Sequence, residues 1–551
     1  MEKKRSRKTR RLHCRLSHPT LRGDEVTRRS QIEALAMQTI RLGTGILLLC
    51  SWTAAGLAQP PVAADSATLL ASAEEQLVKV IGSAESSVVA LGILKREAAA
   101  VRVDGFGLDI APRATDEHSP EFLPGEFGSG VIITAGTDDE PTAERLVLTM
   151  YHLVRGGPVV GKEAPADRQL RVRLPGRQIC GAKILAADPR SDLAVLRLDL
   201  TGTKLTREDL KPMKLVEPSA PRKGQFVIAL GNPYAIARDG SASASWGIIS
   251  NISRFPAPAE IDKSNVPAAR RDTSIHHLGT LLHIDTRLNL GGSGGPLLNL
   301  RGELIGLTTS LAAIEGYEKS VGFAIPIDAN LKRVVESLSK GLEVEYGFLG
   351  LQPDDILLAA LRDLSPRIKQ PTAARVLMVF ADSPAALAGL RREDVILAVN
   401  RKPIFGKLDL LREVGLLGPG VFAELTVWRA AERRELRVQA ELGKWPLSDE
   451  ETLIATEQRH PEWRGLRVDY PTSRAKYMNW PEQRYPSAVV VTSVAPQSSA
   501  AEGNLQEGDF ITHVEQQPIH TPAEFHAVVS KLDKPDIVVK TLDGRRLKLS
   551  R

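Results

Sequence analysis

The sequence predicts a mainly β protein whose short apolar strands carry chemistry-bearing residues at their ends. Arg145-Leu-Val-Leu-Thr-Met-Tyr-His152-Leu-Val154 is an apolar β-run that closes in a short turn holding a histidine. Ala187-Asp-Pro-Arg-Ser-Asp192-Leu-Ala-Val-Leu-Arg-Leu198 sets an aspartate directly before a second alternating run. The third observation is Asn289-Leu-Gly-Gly-Ser-Gly-Gly-Pro-Leu297, in which Ser293 stands among four glycines.

A hydroxyl that attacks a carbonyl needs a base, a group that orients the base, and two backbone N–H groups converging on the developing negative charge. Residues without side chains let a substrate come that close. A flexible linker has the same composition, so the partners decide between the two readings. The order His152, Asp192, Ser293 is that of the chymotrypsin-like double barrel, whereas other hydrolase folds bring the same groups in other orders. A histidine at a strand end, or an aspartate before a strand, is by itself more often a structural residue. Together, each beside a β-run and followed by the serine loop, they favour chemistry. His276, His277 and His283 cluster without the cysteine or acidic spacing of a metal site, so no metal and no cofactor is expected. Cys180 has no paired histidine motif, and a thiol nucleophile is the weaker reading.

Five landmarks in order carry a family resemblance: Gly128-Ser-Gly-Val-Ile-Ile133, Asp188-Pro-Arg-Ser-Asp-Leu-Ala-Val-Leu196, Ile228-Ala-Leu-Gly-Asn-Pro233, His283-Ile-Asp-Thr-Arg-Leu-Asn-Leu-Gly-Gly-Ser-Gly-Gly-Pro-Leu297 and Val321-Gly-Phe-Ala-Ile-Pro326. They resemble the HtrA/DegP-like serine proteases. The resemblance implies a trypsin-like domain of two β-barrels with the active site in the cleft between them. By position it makes His152 the general base, Asp192 its orienting carboxylate, Ser293 the nucleophile, and the N–H groups of Gly291 and Ser293 the oxyanion hole. Three positions depart from the family pattern. Gly292 replaces the usual Asn before the serine, which loosens the oxyanion loop. Tyr151 replaces a small residue or Asn before the histidine, which narrows the cleft. Arg287 lies six residues before the nucleophile, near the floor of the first specificity pocket, where the family carries a small residue. It is either a specificity residue or an arginine pointing to solvent. Phe255-Pro-Ala-Pro-Ala-Glu260 and Pro267-Ala-Ala-Arg-Arg-Asp272 read as an inserted surface loop after a strand at Ser245–Ser250.

At 551 residues the chain is long enough for several domains, and its 42% hydrophobic and 25% charged residues are ordinary for globular material. The formal charge of +6 is local: residues 1–58 hold 12 Lys/Arg against 4 Asp/Glu, and the remainder is slightly acidic. No nucleic-acid partner follows. Arg41 precedes the apolar stretch Leu42–Leu57, and Gly56-Leu-Ala58 supplies the small residues of a signal-peptidase site. Export to the periplasm or cell envelope is expected, retention as an uncleaved membrane anchor being the alternative. Met37 would start a more typical signal. Cys14 and Cys50 lie in this leader, so the mature chain keeps Cys180 alone and has no internal disulfide.

The segment Asp328–Lys340 has apolar residues at helical spacing behind an aspartate cap. Beyond it, Tyr346-Gly-Phe-Leu-Gly-Leu351 and Asp382–Asn400 resemble a PDZ domain, an α+β unit that takes a peptide C-terminus by strand addition. Leu349, Gly350 and Leu351 would form its carboxylate loop. The plan recurs more loosely as Trp463-Arg-Gly-Leu466 and Ala495–Val514, with Gly465 and Leu466 in the loop, Arg464 in place of an apolar residue, and a Tyr- and Trp-rich insertion at Pro471–Pro486. Lys444–Pro461 is polar and proline-punctuated, as in a linker. The expected organisation is a leader at 1–58, a trypsin-like domain at 59–335, and PDZ domains at 343–443 and 462–551. The resemblance further implies an endopeptidase of unfolded or damaged proteins that assembles as a trimer or larger homo-oligomer. The alternative is a catalytically idle chaperone or peptide-binding scaffold.

Overall fold

The computed structural model describes residues 66–95, 126–136, 143–165, 168–215, 220–232, 239–254, 274–309, 322–447, 453–478 and 485–551. The leader, the 255–272 insertion and residues 479–484 of the aromatic insertion lie outside them.

After the helix Ser66–Ala84 come β1 (Val88–Lys95), β2 (Glu126–Thr134), β3 (Arg145–Met150), β4 (Arg168–Leu174), β5 (Gln178–Asp188) and β6 (Leu193–Asp199). They run in the order β5-β4-β1-β2-β3-β6, and an added β5–β6 pairing closes the ring. β7 (Phe226–Gly231), β8 (Ser243–Arg254), β9 (Leu281–Ile284), β10 (Pro296–Leu298), β11 (Leu304–Thr309) and β12 (Gly322–Pro326) form a second closed barrel in the order β10-β11-β12-β9-β8-β7. Closure removes most free strand edge, leaving in the first barrel the far end of β5 beyond its pairing with β4. Inward side chains such as Val89, Val147, Val172 and Ile184 fill the first barrel, and Val227, Ile249, Leu297 and Ala324 the second. A larger cluster spans both, with Leu148 and Val195 from the first barrel and Leu230 and Leu307 from the second. Each fully buried aliphatic side chain contributes about 1.5–3 kcal/mol, so the barrels are rigid enough to hold loops at their junction.

The helix Ala329–Ser339 starts as its cap requires, with Leu331 N–H donating to the Asp328 carboxylate at 2.8 Å. It leads to β13 (Gly347–Phe348), β14 (Leu351–Leu357), β15 (Thr372–Val379), β16 (Val395–Val399), β17 (Lys402–Pro403), β18 (Phe422–Arg429), β19 (Arg434–Glu441) and β20 (Gly443–Lys444). The sheet runs β14-β15-β16-β18-β19 with β17 paired to β16, and the helix Lys407–Leu417 packs on it. β21 (Ile454–Ala455) follows. Then β22 (Leu466–Asp469), β23 (Val489–Val494), β24 (Phe510–Val514), β25 (Gln517–Pro518), β26 (Asp536–Thr541) and β27 (Arg546–Ser550) repeat the same strand order, with β25 paired to β24.

The described parts of the stretch after Lys444 are no solvated linker. β21 adds to the edge of β5, pairing Ile454 with Ala187, and the Thr456 hydroxyl donates to Leu185 O at 2.9 Å. Lys444 is 1% exposed, and its ammonium lies 3.0, 3.1 and 2.8 Å from carboxylate oxygens of Glu343, Glu345 and Asp469. Arg474 also pairs with Glu343, and Arg459 with Glu345. The polar composition that suggests a linker serves buried ion pairing instead. Burial opposes ionisation of Glu343, but Lys444 and Arg474 outweigh it and hold its carboxyl down at about 2. Asp469 shares Lys444 with two other carboxylates and has no guanidinium partner among the described residues, so burial raises its pKa.

Candidate active site

Pairing of β3 with β6 sets Met150 opposite Leu193, which brings together the residues that follow one strand and precede the other. His152 lies on the one-turn helix Tyr151–Val154 after β3, and Asp192 in the turn before β6. Asp192 takes a left-handed φ of 54°, which its short polar side chain tolerates. Its carbonyl accepts the Tyr151 N–H at 2.8 Å, its Oδ1 the His152 N–H at 3.0 Å, and its Oδ2 lies 2.7 Å from His152 Nδ1. With the carboxylate accepting, Nδ1 carries the proton and Nε2 is left as the basic nitrogen. Asp192 is 4% exposed, so this contact is sheltered from water. Tyr151 does not narrow the cleft: it is buried in the core of the first barrel.

The turn before Asp192 is braced from several sides. Asp188 accepts from Ser191 N–H at 3.0 Å and from the Tyr346 hydroxyl at 2.5 Å. Arg190 donates to Val344 O at 2.6 Å and stacks over the Tyr346 ring. His276, the one fully buried member of the histidine cluster, stands behind this turn. Burial lowers its pKa, and the neutral ring donates from Nε2 to Ser191 O at 3.0 Å while Nδ1 accepts from the Thr280 hydroxyl at 2.6 Å. That role has no local sequence signature. No group of three metal-ligating side chains occurs among the described residues. Burial pushes the Cys180 thiol up to about 12, which removes it as a nucleophile near neutral pH.

Ser293 sits in the loop from β9 to β10 and is 2% exposed. The loop is no linker. Ser293 O accepts the Ser129 N–H of β2 at 2.8 Å, tying the second barrel to the first. Gly291 has φ 93°, and a Cβ there would stand 2.7 Å from Asn232 O and from the Phe127 ring. A Cβ on Gly294 would fall 2.1 Å from Ser129 O. Backbone this close admits no side chain, which accounts for glycine at both positions. Arg287 is exposed, and its carbonyl accepts the Ser245 hydroxyl at 3.2 Å.

Beside the first C-terminal sheet, Leu349, Gly350 and Leu351 line, with β13, a cavity of about 160 Å³ against the helix Lys407–Leu417. Leu410, Leu411, Val414 and Trp445 make its apolar walls. In the second sheet, Gly465 has φ 83° and Leu466 is buried in the core. The Arg464 guanidinium lies over the Trp463 ring and donates to the carbonyls of Lys534, Pro535 and Leu549. Trp463 meets Phe525 edge-on, and His460 stacks on His526 at 4.7 Å.

Two closed six-stranded barrels with a histidine–aspartate pair and a glycine-bounded serine define a trypsin-like peptidase. A family model for the trypsin-like peptidase domain matches residues 128–307, and one for the PDZ domain matches 375–429. The "Probable periplasmic serine endoprotease DegP-like" of Ectopseudomonas mendocina is 32% identical over 410 residues, covering 74% of this chain and 75% of the relative. The protein of the same name from Pseudomonas fluorescens is 31% identical, with 77% of each chain covered. Among solved structures, "HtrA-type protease AlgW with decapeptide" is 23% identical, spans 67% of this chain and 99% of its own, and gives a TM-score of 0.43. The chain belongs to the HtrA/DegP-like family of serine endoproteases, and it is a serine-type endopeptidase.

Proposed function

We propose that this chain is an exported endopeptidase of the periplasm that cuts unfolded or damaged proteins through an acyl-enzyme, with His152, Asp192 and Ser293 as its triad. The observation that carries this reading is the 2.7 Å contact of His152 Nδ1 with the buried Asp192 carboxylate, beside a serine loop bonded across the barrel junction. His152 Nε2 takes the Ser293 proton as Oγ attacks the scissile carbonyl, and returns it to the leaving amine. Asp192 holds the tautomer and stabilises the imidazolium. The N–H groups of Gly291 and Ser293 take the oxyanion. Water then deacylates the enzyme with His152 again as base.

The proposed peptidase domain is 59–335, and the proposed PDZ domains are 343–443 and 462–551. The repeated strand order supports a PDZ-like second unit. The first takes a free peptide C-terminus on the N–H groups of Leu349, Gly350 and Leu351 with its apolar end in the cavity, and Gly465 and Leu466 are the matching loop of the second. Periplasmic location rests on the signal-like leader and the names of the relatives; among the described residues no helix is long and apolar enough to cross a membrane. Assembly as a trimer or larger homo-oligomer belongs to the same reading and is measured by sedimentation.

Digestion of denatured casein tests the chemistry: the parent cleaves and is labelled by a serine-directed phosphonate, and Ser293→Ala does neither. Cleavage that survives Ser293→Ala overturns the triad. Mass spectrometry of the same digest reads Arg287→Ala, where redistributed cleavage sites place Arg287 in the first pocket and an unchanged profile leaves it to solvent.

A further inference from the structure

Between the two N–H groups proposed to hold the oxyanion lies Gly292, whose φ and ψ are limited by no side chain of its own. Two peptide planes meet at its Cα. The first carries Gly291 O and Gly292 N–H, the second Gly292 O and Ser293 N–H. In a trans peptide the C=O and N–H point in opposite directions, so whatever holds Gly292 O sets the direction of the Ser293 N–H.

We infer that Ser129 and Thr308 are positioning residues that clamp these two planes and thereby aim the Ser293 N–H, Thr308 directly through Gly292 O and Ser129 through the plane before it; this rests on the proposed role of Gly291 and Ser293. The Thr308 hydroxyl lies 2.7 Å from Gly292 O and 3.0 Å from Gly295 O, and its one proton is held nearer the first. The Ser129 hydroxyl donates to Gly291 O at 2.8 Å and accepts the Asn232 N–H at 2.9 Å, so its rotor is held from both sides. The Gly292 N–H donates to Asn289 O at 2.9 Å, which pins the opposite edge of that plane. Both hydroxyl-bearing residues are fully buried, so water does not compete for these carbonyls.

Each clamp is itself anchored by backbone. Thr308 N–H donates to Gly295 O at 2.9 Å, and Thr308 O accepts from Gly294 N–H at 2.8 Å. Ser129 N–H donates to Ser293 O, and Ser129 O accepts the Thr149 hydroxyl at 2.8 Å. Ser129 belongs to β2 of the first barrel and Thr308 to β11 of the second. The planes around Gly292 are therefore set by both barrels together: the local bonds of Gly292 N–H to Asn289 O and of Gly295 N–H to Gly292 O at 3.2 Å are joined by two hydroxyls, one of them far away in sequence.

The test uses the full chain with Thr308→Val, which keeps the volume and removes the hydroxyl, Thr308→Ser, which keeps the hydroxyl, and Ser129→Ala. A fluorogenic peptide gives kcat and KM, a peptide boronic acid gives a Ki for a tetrahedral adduct, and thermal unfolding confirms the fold. Losing one oxyanion donor lowers kcat by about 10²–10³, so misaiming one is expected to lower it by roughly 10-fold or more in Thr308→Val and Ser129→Ala. KM stays near the parent value, the boronate Ki rises in parallel with the loss in kcat/KM, and Thr308→Ser retains parent activity. A kcat within about twofold of the parent in both hydroxyl-deleted proteins overturns the clamp, as does a fall in kcat with an unchanged boronate Ki. If Thr308→Val does not fold, Ser129→Ala decides by the same readings. Loss of cleavage in Ser293→Ala with full activity in the hydroxyl-deleted proteins sinks the clamp alone; cleavage that survives Ser293→Ala sinks the triad and the clamp with it.

Discussion

The two C-terminal sheets share a backbone plan and differ in what fills it. Both run five strands in the same order with a two-residue strand beside the third, and both break register at matching places, Gln352/Pro353 with Arg467/Val468 and Ile396/Ala398 with Ile511/His513. Gly350 and Gly465 are left-handed and lie against the capping serines Ser383 and Ser498. In the first sheet the helix beside the loop presents Leu410, Leu411 and Val414 to an apolar cavity. In the second, Phe525 and His526 of the corresponding helix are packed by Trp463 and His460, and Arg464 is tied to carbonyls near the C-terminus. The duplicated backbone sets where a groove can lie, and a few side chains decide whether its floor is free.

The comparison is most sharply broken at Lys444, where the two units join. Lys444→Ala would leave Asp469 buried without a cation among the described residues, and Glu343 and Glu345 with Arg474 and Arg459 alone, and a loss of about 3–5 kcal/mol in guanidinium unfolding is expected. A loss below about 1 kcal/mol would mean that other contacts hold the units together.

Acid provides the next test. The Glu343 carboxyl is held below its ordinary value, so the folded state binds fewer protons than the unfolded chain between pH 4.5 and about 2. Its contribution is full above 4.5 and is lost as pH falls through that window. Asp469 is raised, so its ionisation costs stability above its folded pKa and that cost disappears on protonation. Denaturation midpoints measured at falling pH should decline more steeply in the parent than in Glu343→Gln. Parallel curves would remove Glu343 from the account.

The smallest expected effect bears on the grooves themselves. A peptide with an apolar C-terminal residue, titrated by calorimetry, should lose roughly 10-fold or more in affinity with Leu411→Glu, which puts a charge in the apolar wall. His526→Glu should leave that affinity unchanged. The opposite pattern would move peptide binding to the second unit.

Several features were readable before any fold was known. The apolar run ending at His152 and the aspartate before Leu193 are local patterns, and the strands β3 and β6 lie where alternation put them. Asp328 caps its helix as its position suggested. Tyr151 was misread because strand-end sequence does not say which face of the following turn is buried. The Lys444–Pro461 stretch was misread because composition cannot distinguish a charge facing water from one facing a buried carboxylate.

What the sequence by itself determined is the set of residue types and their order: histidine, aspartate, a serine among glycines, then two copies of one α+β plan. Periods of two and 3.6 residues act over a few neighbours, so they survive translation into strands and helices. Only the tertiary structure decided which buried polar groups meet. Ser129 reaches Gly291 across 162 residues of chain, and Lys444 gathers carboxylates that precede and follow the first C-terminal sheet in the chain. Such contacts form because buried hydrogen-bonding groups must find partners wherever the fold brings them together, a requirement with no signature in the local sequence.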